Sequence, residues 1–392
     1  MVDTNLFLIV GLILLSTKVF AICVKRIHLP QVIGALSAGL LLGPAVFGLI
    51  KPNETISAIA EFGVVLLLFA AGMETDFRQL SRSFKSSIFI ALLGVVLSLG
   101  GGFAISLLFG KPTFESFFIG VIIASMSTSI TVEALSEMGK LKTKTGTALM
   151  GASLFDDIFV IVMLAVVMGM GESGFSFMTL AFILFKIGIF FVMATIVGFF
   201  VNKLFNYLYD RFGKLRRLAI FAMAYCFIMA YLAEFFGLAD ITGAYIAGIA
   251  FCTAHCELDL ESKTHRLSYL FFTPIFLANI GIHTSFEGMN GSLILFTVLL
   301  VAVAILGKIL GCGIGARICR FSRRESVQIG VGMVARGEVS FIVAAKGIAA
   351  GYISSMLYPS VIVVVLVTVL ITPLLLNLAF TVKSKGKKSR KR

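Results

Sequence analysis

Asp156 and Asp157 are adjacent carboxylates in the middle of an apolar stretch that runs from about Thr145 to Met170. An ionisable side chain at mid-membrane costs roughly 2.5 to 3.5 kcal/mol on insertion scales, so two side by side point to an ion or proton path. Successive helix positions are about 100° apart, and the two carboxylates therefore face different surroundings. One can meet a partner while the other faces a cavity. The basic counterpart is Lys308, the only base deep in the segment TVLLVAVAILGKILG. A lysine at that depth needs an anion, and a lysine–aspartate pair out of water can trade protons near physiological pH. The alternative is a static structural ion pair, since buried pairs are weak evidence for stability.

Two further constellations interrupt apolar helices. In one, Ser125, Ser127, Thr128, Ser129 and Thr131 bring hydroxyls, and in the other Arg336, Gly337 and Glu338 bring charges. Non-helical backbone at membrane depth survives only where protein or a water-filled cavity satisfies it. A dehydrated monovalent cation needs oxygen ligands, and a carboxylate with nearby hydroxyls and carbonyls supplies them without the dense charge of a calcium site. Protons compete for the same carboxylate. If the site crosses loaded with a cation or with protons, but poorly when charged and empty, the two fluxes are coupled.

The elements that must position these residues are membrane spans. With 392 residues, 59% of them apolar, and a mean hydropathy of +1.04, the chain is predicted to be an all-α polytopic membrane protein. Thirteen spans are marked: 5–24, 30–49, 55–74, 84–109, 114–136, 145–170, 176–205, 215–236, 238–255, 266–286, 291–316, 324–349 and 357–380. The formal charge of +13 does not indicate a nucleic-acid partner, because the bases fall in every second connection. Lys25 and Arg26, Lys140 to Lys144, Arg211 to Arg217 and Arg317 to Arg324 lie on one side, with only Lys51 and Lys111 opposite. The positive-inside rule then puts the N-terminus outside and the C-terminus in the cytoplasm of a cell membrane. The first segment is expected to stay as a helix, since its bases follow the apolar run. The run KSKGKKSRKR reads as a solvated or headgroup-binding tail, with no nucleotide-binding domain expected after it. Six cysteines lie in apolar segments or near cytoplasmic ends and are expected to be reduced. Cys252, His255 and Cys256 have helical spacing, but packing thiols at a helix end are the preferred reading.

A weak internal repeat supports a duplicated architecture. At an offset of 209 residues, Gly34, Ala35, Ala38 and Gly39 meet Gly243, Ala244, Ala247 and Gly248, while Gly72, Thr75 and Phe77 meet Gly281, Thr284 and Phe286. Further on, the register shifts by one and Gly120 meets Gly330. Matching spans are seven apart, an odd number, so the copies are expected to cross the membrane in opposite directions. The small residues also have a structural reading, close helix approach. Glu61, Glu74, Glu133, Lys186, Glu234, Asp240 and Lys346 are expected at span ends, along a funnel or snorkelling.

The run GASLFDDIFVIV, Lys308, STSITVEALSEMG and GMVARGEVSFIVAA together resemble the bacterial monovalent cation:proton antiporter-2 family, in particular its NapA- and GerN-type sodium/proton exchangers. The resemblance implies an NhaA/NapA-like fold with two discontinuous crossing helices, a homodimer, and elevator-like movement of a core. It assigns 1–83 and 214–288 to a dimerisation domain, 84–172 and 289–380 to the transport core, 173–213 to a linker helix and 381–392 to a basic tail. It makes Asp157 the cation and proton carboxylate, Asp156 the partner of Lys308, and Thr128 and Ser129 ligands at the break. Arg336 and Glu338 would pair across the second break. No cofactor or nucleotide is implied, and the cation is substrate. Asp156-Asp157, where potassium-efflux relatives often carry Gln-Asp, favours sodium/proton exchange over potassium/proton exchange. A channel would not need the buried lysine, and an intramembrane aspartyl protease would want its carboxylates on two helices. A sodium-coupled solute symporter on a related fold is separated only by whether protons replace the second substrate.

Overall fold

The computed structural model describes residues 5–26, 30–75, 77–172, 177–212, 216–254, 257–284 and 291–381. Helices account for nearly all of them, and no strand occurs among the described residues. The first half contains α1 (Asn5–Arg26), α2 (Gln31–Leu42), α3 (Glu54–Glu74), α4 (Phe77–Leu108), α5 (Thr113–Ala124), α6 (Thr128–Glu137) and α7 (Lys144–Glu172). After α8 (Phe177–Phe212) come α9 (Arg216–Phe235), α10 (Asp240–Ile249), α11 (Glu257–Leu267), α12 (Thr273–Ile282), α13 (Gly291–Ile318), α14 (Arg323–Gly332), α15 (Glu338–Ala349) and α16 (Tyr358–Thr381).

Local sequence explains where many of these helices start. Pro30 and Pro112 stand immediately before α2 and α5, where a missing N–H removes no intrahelical bond. Asn53 caps α3 by accepting from the Thr55 N–H at 2.8 Å. Ser322 and Glu325 cap α14 reciprocally, each side chain accepting from the other's backbone N–H. Between α11 and α12 the chain makes a π turn over Ser268–Phe272, just before Pro274. That placement follows from proline, which cannot donate to the carbonyl four residues back and leaves the ladder to widen.

Among the described residues, nine segments are long and apolar enough to cross a membrane. The protein is a multi-pass membrane protein. Of the other four marked spans, 30–49 and 238–255 hold the short helices α2 and α10, 324–349 is divided between α14 and α15, and the described part of 266–286 continues α11 through the π turn into α12. A 12-residue helix such as α2 is about 18 Å long, so a crossing of roughly 30 Å there includes the non-helical backbone beside it. Hydropathy does not see that shortening, because the backbone leaves the helix without a change of polarity.

The packing repeats itself between the halves. A Cβ on Gly248 of α10 would come 2.8 Å from the Cα of Gly72 in α3, and one on Gly281 of α12 would come 2.6 Å from the carbonyl carbon of Gly39 in α2. At the sequence offset of 209, these are the same contact with the partners exchanged. The hairpins agree: Gly120 of α5 lies against the Leu99 carbonyl of α4, and Gly330 of α14 against the Ile309 carbonyl of α13. Glycine is required at these places because backbones meet at distances no side chain tolerates.

Candidate functional site

The helix that begins at Thr113 stops at Ala124, runs extended through Ser125 and resumes at Thr128. The helix that begins at Arg323 stops at Gly332 and resumes at Glu338. The two interruptions meet. The Ser127 N–H donates to the Ala335 carbonyl at 2.8 Å, joining one break to the other through backbone alone. Ser125 Oγ and Ser340 Oγ are 2.7 Å apart, and Thr131 Oγ1 donates to the Gly332 carbonyl at 2.7 Å. A Cβ on Gly337 would lie 2.6 Å from Ser127 Oγ. Thus several of the groups freed at the two breaks are met by each other and by hydroxyls, as burial requires.

Arg336 is fully buried in the second break. Its Nη2 donates to the Ala304 carbonyl at 2.9 Å, its Nη1 to the Met333 carbonyl at 3.4 Å, and its backbone N–H to Thr368 Oγ1 at 3.2 Å. The guanidinium sits just past the C-terminus of α14, where helix carbonyls concentrate partial negative charge. These partners are backbone oxygens and a hydroxyl; the expected pairing with Glu338 concerns a side chain outside the described residues.

Asp156 and Lys308 are both fully buried and form an ion pair, Lys308 Nζ donating to Asp156 Oδ1. They come from α7 and α13, 152 positions apart in the chain. Gly94 of α4 lets α13 pack closely beside the pair, since a Cβ there would collide with Cys312 Sγ, one turn beyond Lys308. The other carboxylate oxygen, Asp156 Oδ2, is buried with no hydrogen-bond partner among the described residues. Asp157, its neighbour on α7, is buried to within 3%. Of the hydroxyl residues, Ser129 is fully buried and its Oγ lies 3.0 Å from Ser127 Oγ, while Thr128 Oγ1 is buried with no hydrogen-bond partner among the described residues.

α7 is fixed to α14 at its start. Lys144 Nζ lies 3.5 Å from Glu325 Oε1 and over the Phe321 ring, and Thr145 Oγ1 donates to Gln328 Oε1 at 3.3 Å. The aspartate helix is thereby held beside one of the broken helices. Sequence reasoning did not find Ser340, Thr368 or the Ala304 carbonyl, and only the first two carry a signal, as lone hydroxyls in apolar runs. His255 and Cys256, weighed as metal ligands with Cys252, lie outside the described residues. No cluster of metal-ligating type occurs among the described ones.

Two cavities open beside the broken helices, one lined in part by α6 and the other in part by α15. One, of about 210 Å³, is lined by residues including Thr17, Gln31, Glu133 and Tyr269, and another of about 350 Å³ by residues including Ser57, Glu61, Asp240, Asn279 and His283. The first takes Thr273 and Pro274 from the start of α12 and the second takes Asn279 and His283 from its end. They reach the middle of that helix from its two ends, the first as far as Leu277 and the second as far as Phe276.

The chain is 35% identical over 390 residues to the Na(+)/H(+)-K(+) antiporter GerN of Bacillus cereus, covering 99% of this chain and all of the relative. It is 33% identical to a Na(+)/H(+) antiporter of Enterococcus hirae, over 94% and 96% of the two chains. The solved sodium proton antiporter MjNhaP1 of Methanocaldococcus jannaschii superposes with a TM-score of 0.76 over 99% of this chain and 100% of that one, at 17% identity, a likeness of fold. The family described as sodium/hydrogen exchanger, transmembrane, matches residues 11–381, and with nearly the whole length accounted for, the chain belongs to that family.

Proposed function

We propose that the protein is a secondary active antiporter that exchanges sodium for protons across the cell membrane. The observation that carries this reading is the fully buried Asp156–Lys308 pair beside Asp157, set against two helix breaks that meet. A carboxylate in that setting, with hydroxyls of Thr128 and Ser129 near the start of α6, can hold a dehydrated monovalent cation or a proton, but not both. Names of relatives support the same chemistry, since those of Bacillus cereus and Enterococcus hirae are Na(+)/H(+) exchangers. GerN also carries potassium in its name, which keeps potassium/proton exchange as the second reading.

In this reading the chain has thirteen membrane-crossing segments in an inverted repeat, enters from outside and ends in the cytoplasm. Segments 84–172 and 289–380 form a core that moves against 1–83 and 214–288, with 173–213 as the link and a second copy completing a homodimer. The contacts that recur with exchanged partners support the repeat, and cavities that reach α12 from its two ends support alternating access between the two sets of helices. Exchange is electrogenic: cation binding at Asp157 draws in Asp156 and releases the Lys308 proton, so two protons enter per sodium. Membrane potential then adds about 2.3 kcal/mol per 100 mV to extrusion.

Proteoliposomes with an internal pH probe, challenged in turn with sodium, lithium and potassium, test coupling and selectivity together. Sodium-driven proton movement that responds to an imposed membrane potential is expected, and Lys308→Gln should make any surviving exchange electroneutral. Cation flux without proton counter-movement would overturn the assignment, and wild-type exchange indifferent to the potential would overturn the stoichiometry.

A further inference from the structure

Glu133 lies on α6, five residues beyond Thr128 and so about 7.5 Å farther along the helix axis. It is only 6% exposed, yet it has no hydrogen bond or ion pair among the described residues. That is unusual for a carboxylate, because a buried charge is normally paired or bound to a cation. The neighbouring Glu137 is already committed, its carboxylate accepting from the Gln31 N–H at 2.7 Å and the Val32 N–H at 3.4 Å.

Glu133 opens onto the cavity of about 210 Å³ between α1, α2, α6 and α12. The other polar groups there are mostly oxygen donors: Thr17 and Thr273 hydroxyls, the Tyr269 phenol and the Gln31 amide oxygen. Each has a hydrogen bond and a lone pair to spare: Thr17 Oγ1 donates to the Ile13 carbonyl, Thr273 Oγ1 pairs with Ser268 Oγ, and Tyr269 reaches Gln31 Oε1. Lys18 also lines the cavity, but its side chain is exposed and forms no ion pair with Glu133. At about 30 Å³ per water the volume holds roughly seven waters, room for a cation keeping part of its hydration shell.

We propose that Glu133 and these oxygens form a second binding site for a monovalent cation, which holds the partly hydrated ion before it reaches Asp157. The inference rests on the antiport reading for its purpose, though not for its chemistry. One carboxylate with neutral oxygens suits a singly charged ion, whereas calcium sites gather several carboxylates. The site lies towards the Lys140 end of α6, so it serves one side of the membrane only.

Binding and transport test it separately. Purified full-length protein is titrated with sodium chloride against choline chloride at equal ionic strength, and thermal unfolding is followed. Asp157→Asn should keep a sodium-dependent stabilisation that the Asp157→Asn, Glu133→Gln double variant lacks. In liposomes of known orientation, Glu133→Gln should raise half-saturating sodium roughly fivefold or more from the Lys140 side, the effect of losing one charged ligand. From the other side half-saturation should not change, and maximal rate should be retained. Tyr269→Phe, which removes one neutral oxygen, should give a smaller rise on the same side and serves in place of Glu133→Gln if that variant does not fold. Complete loss of the sodium response in Asp157→Asn alone, or half-saturation unchanged in both cavity variants, overturns the second site. Absence of exchange by the wild-type protein would instead sink the antiport reading and leave the binding result standing.

Discussion

The two helix breaks occupy equivalent positions in the two halves and are chemically unlike. Around Ser125 to Thr128 the chain supplies hydroxyls, with Ser125 Oγ donating to the Ile122 carbonyl at the end of α5. Around Met333 to Gly337 it supplies a cation of its own, Arg336, which donates to the Met333 carbonyl at the end of α14. Both arrangements quiet a helix C-terminus in a place without water. The second does so permanently with a fixed charge, whereas the first leaves neutral oxygens and the unsatisfied Thr128 Oγ1. Duplication thus supplies a scaffold in which two breaks satisfy each other, and divergence turns one into a fixed charge and the other into a place where a mobile charge is tolerated.

Substitutions can break that contrast. The largest effect is expected at Asp157, beside the hydroxyl break: Asp157→Asn keeps the volume but cannot alternate between cation and proton. Sodium-dependent proton movement in liposomes should fall to that of empty vesicles, and appreciable exchange would remove Asp157 from the role.

Next comes the fixed charge. Arg336→Met leaves the Ala304 and Met333 carbonyls without their donors, two charge-assisted bonds at about 1.5 to 3 kcal/mol each. A loss of at least about 3 kcal/mol should appear as a large fall in thermal unfolding temperature in detergent. A variant with wild-type stability would show that the cation is not what holds the second break.

Smaller is Gly337→Ala, where the new methyl would meet Ser127 Oγ at 2.6 Å and Ser127 Cβ at 2.7 Å. Overpacking of this kind costs about 1 to 3 kcal/mol, and Ser127→Gly in the same chain should recover part of it. No recovery would mean that the two breaks do not bear on each other there.

The smallest effect is expected for Ser125→Ala, which removes the hydroxyl bridge to Ser340 and should cost about 1 kcal/mol. Adding Ser340→Ala should then change little more, because both variants delete one interaction. Full additivity of the two would separate the breaks at that point.

Much of this was legible in the chain itself. Apolar runs and alternating basic connections announce a polytopic membrane protein, because the desolvation of each side chain is a local property. For the same reason Asp156, Asp157, Lys308 and Arg336 stand out: a charge in an apolar run is conspicuous whatever its partner. The paired glycines and the offset of 209 residues could also be read, since backbone contact leaves no other residue type. Only the tertiary structure decided that Asp156 meets Lys308 across 152 positions, that Ser127 bonds to Ala335, and that Arg336 is held by the carbonyls of Met333 and Ala304. Backbone carbonyls are the same in every residue and leave no trace in composition or spacing. Which of them a buried cation finds depends on where two helices stop, and that is settled by how the whole bundle packs.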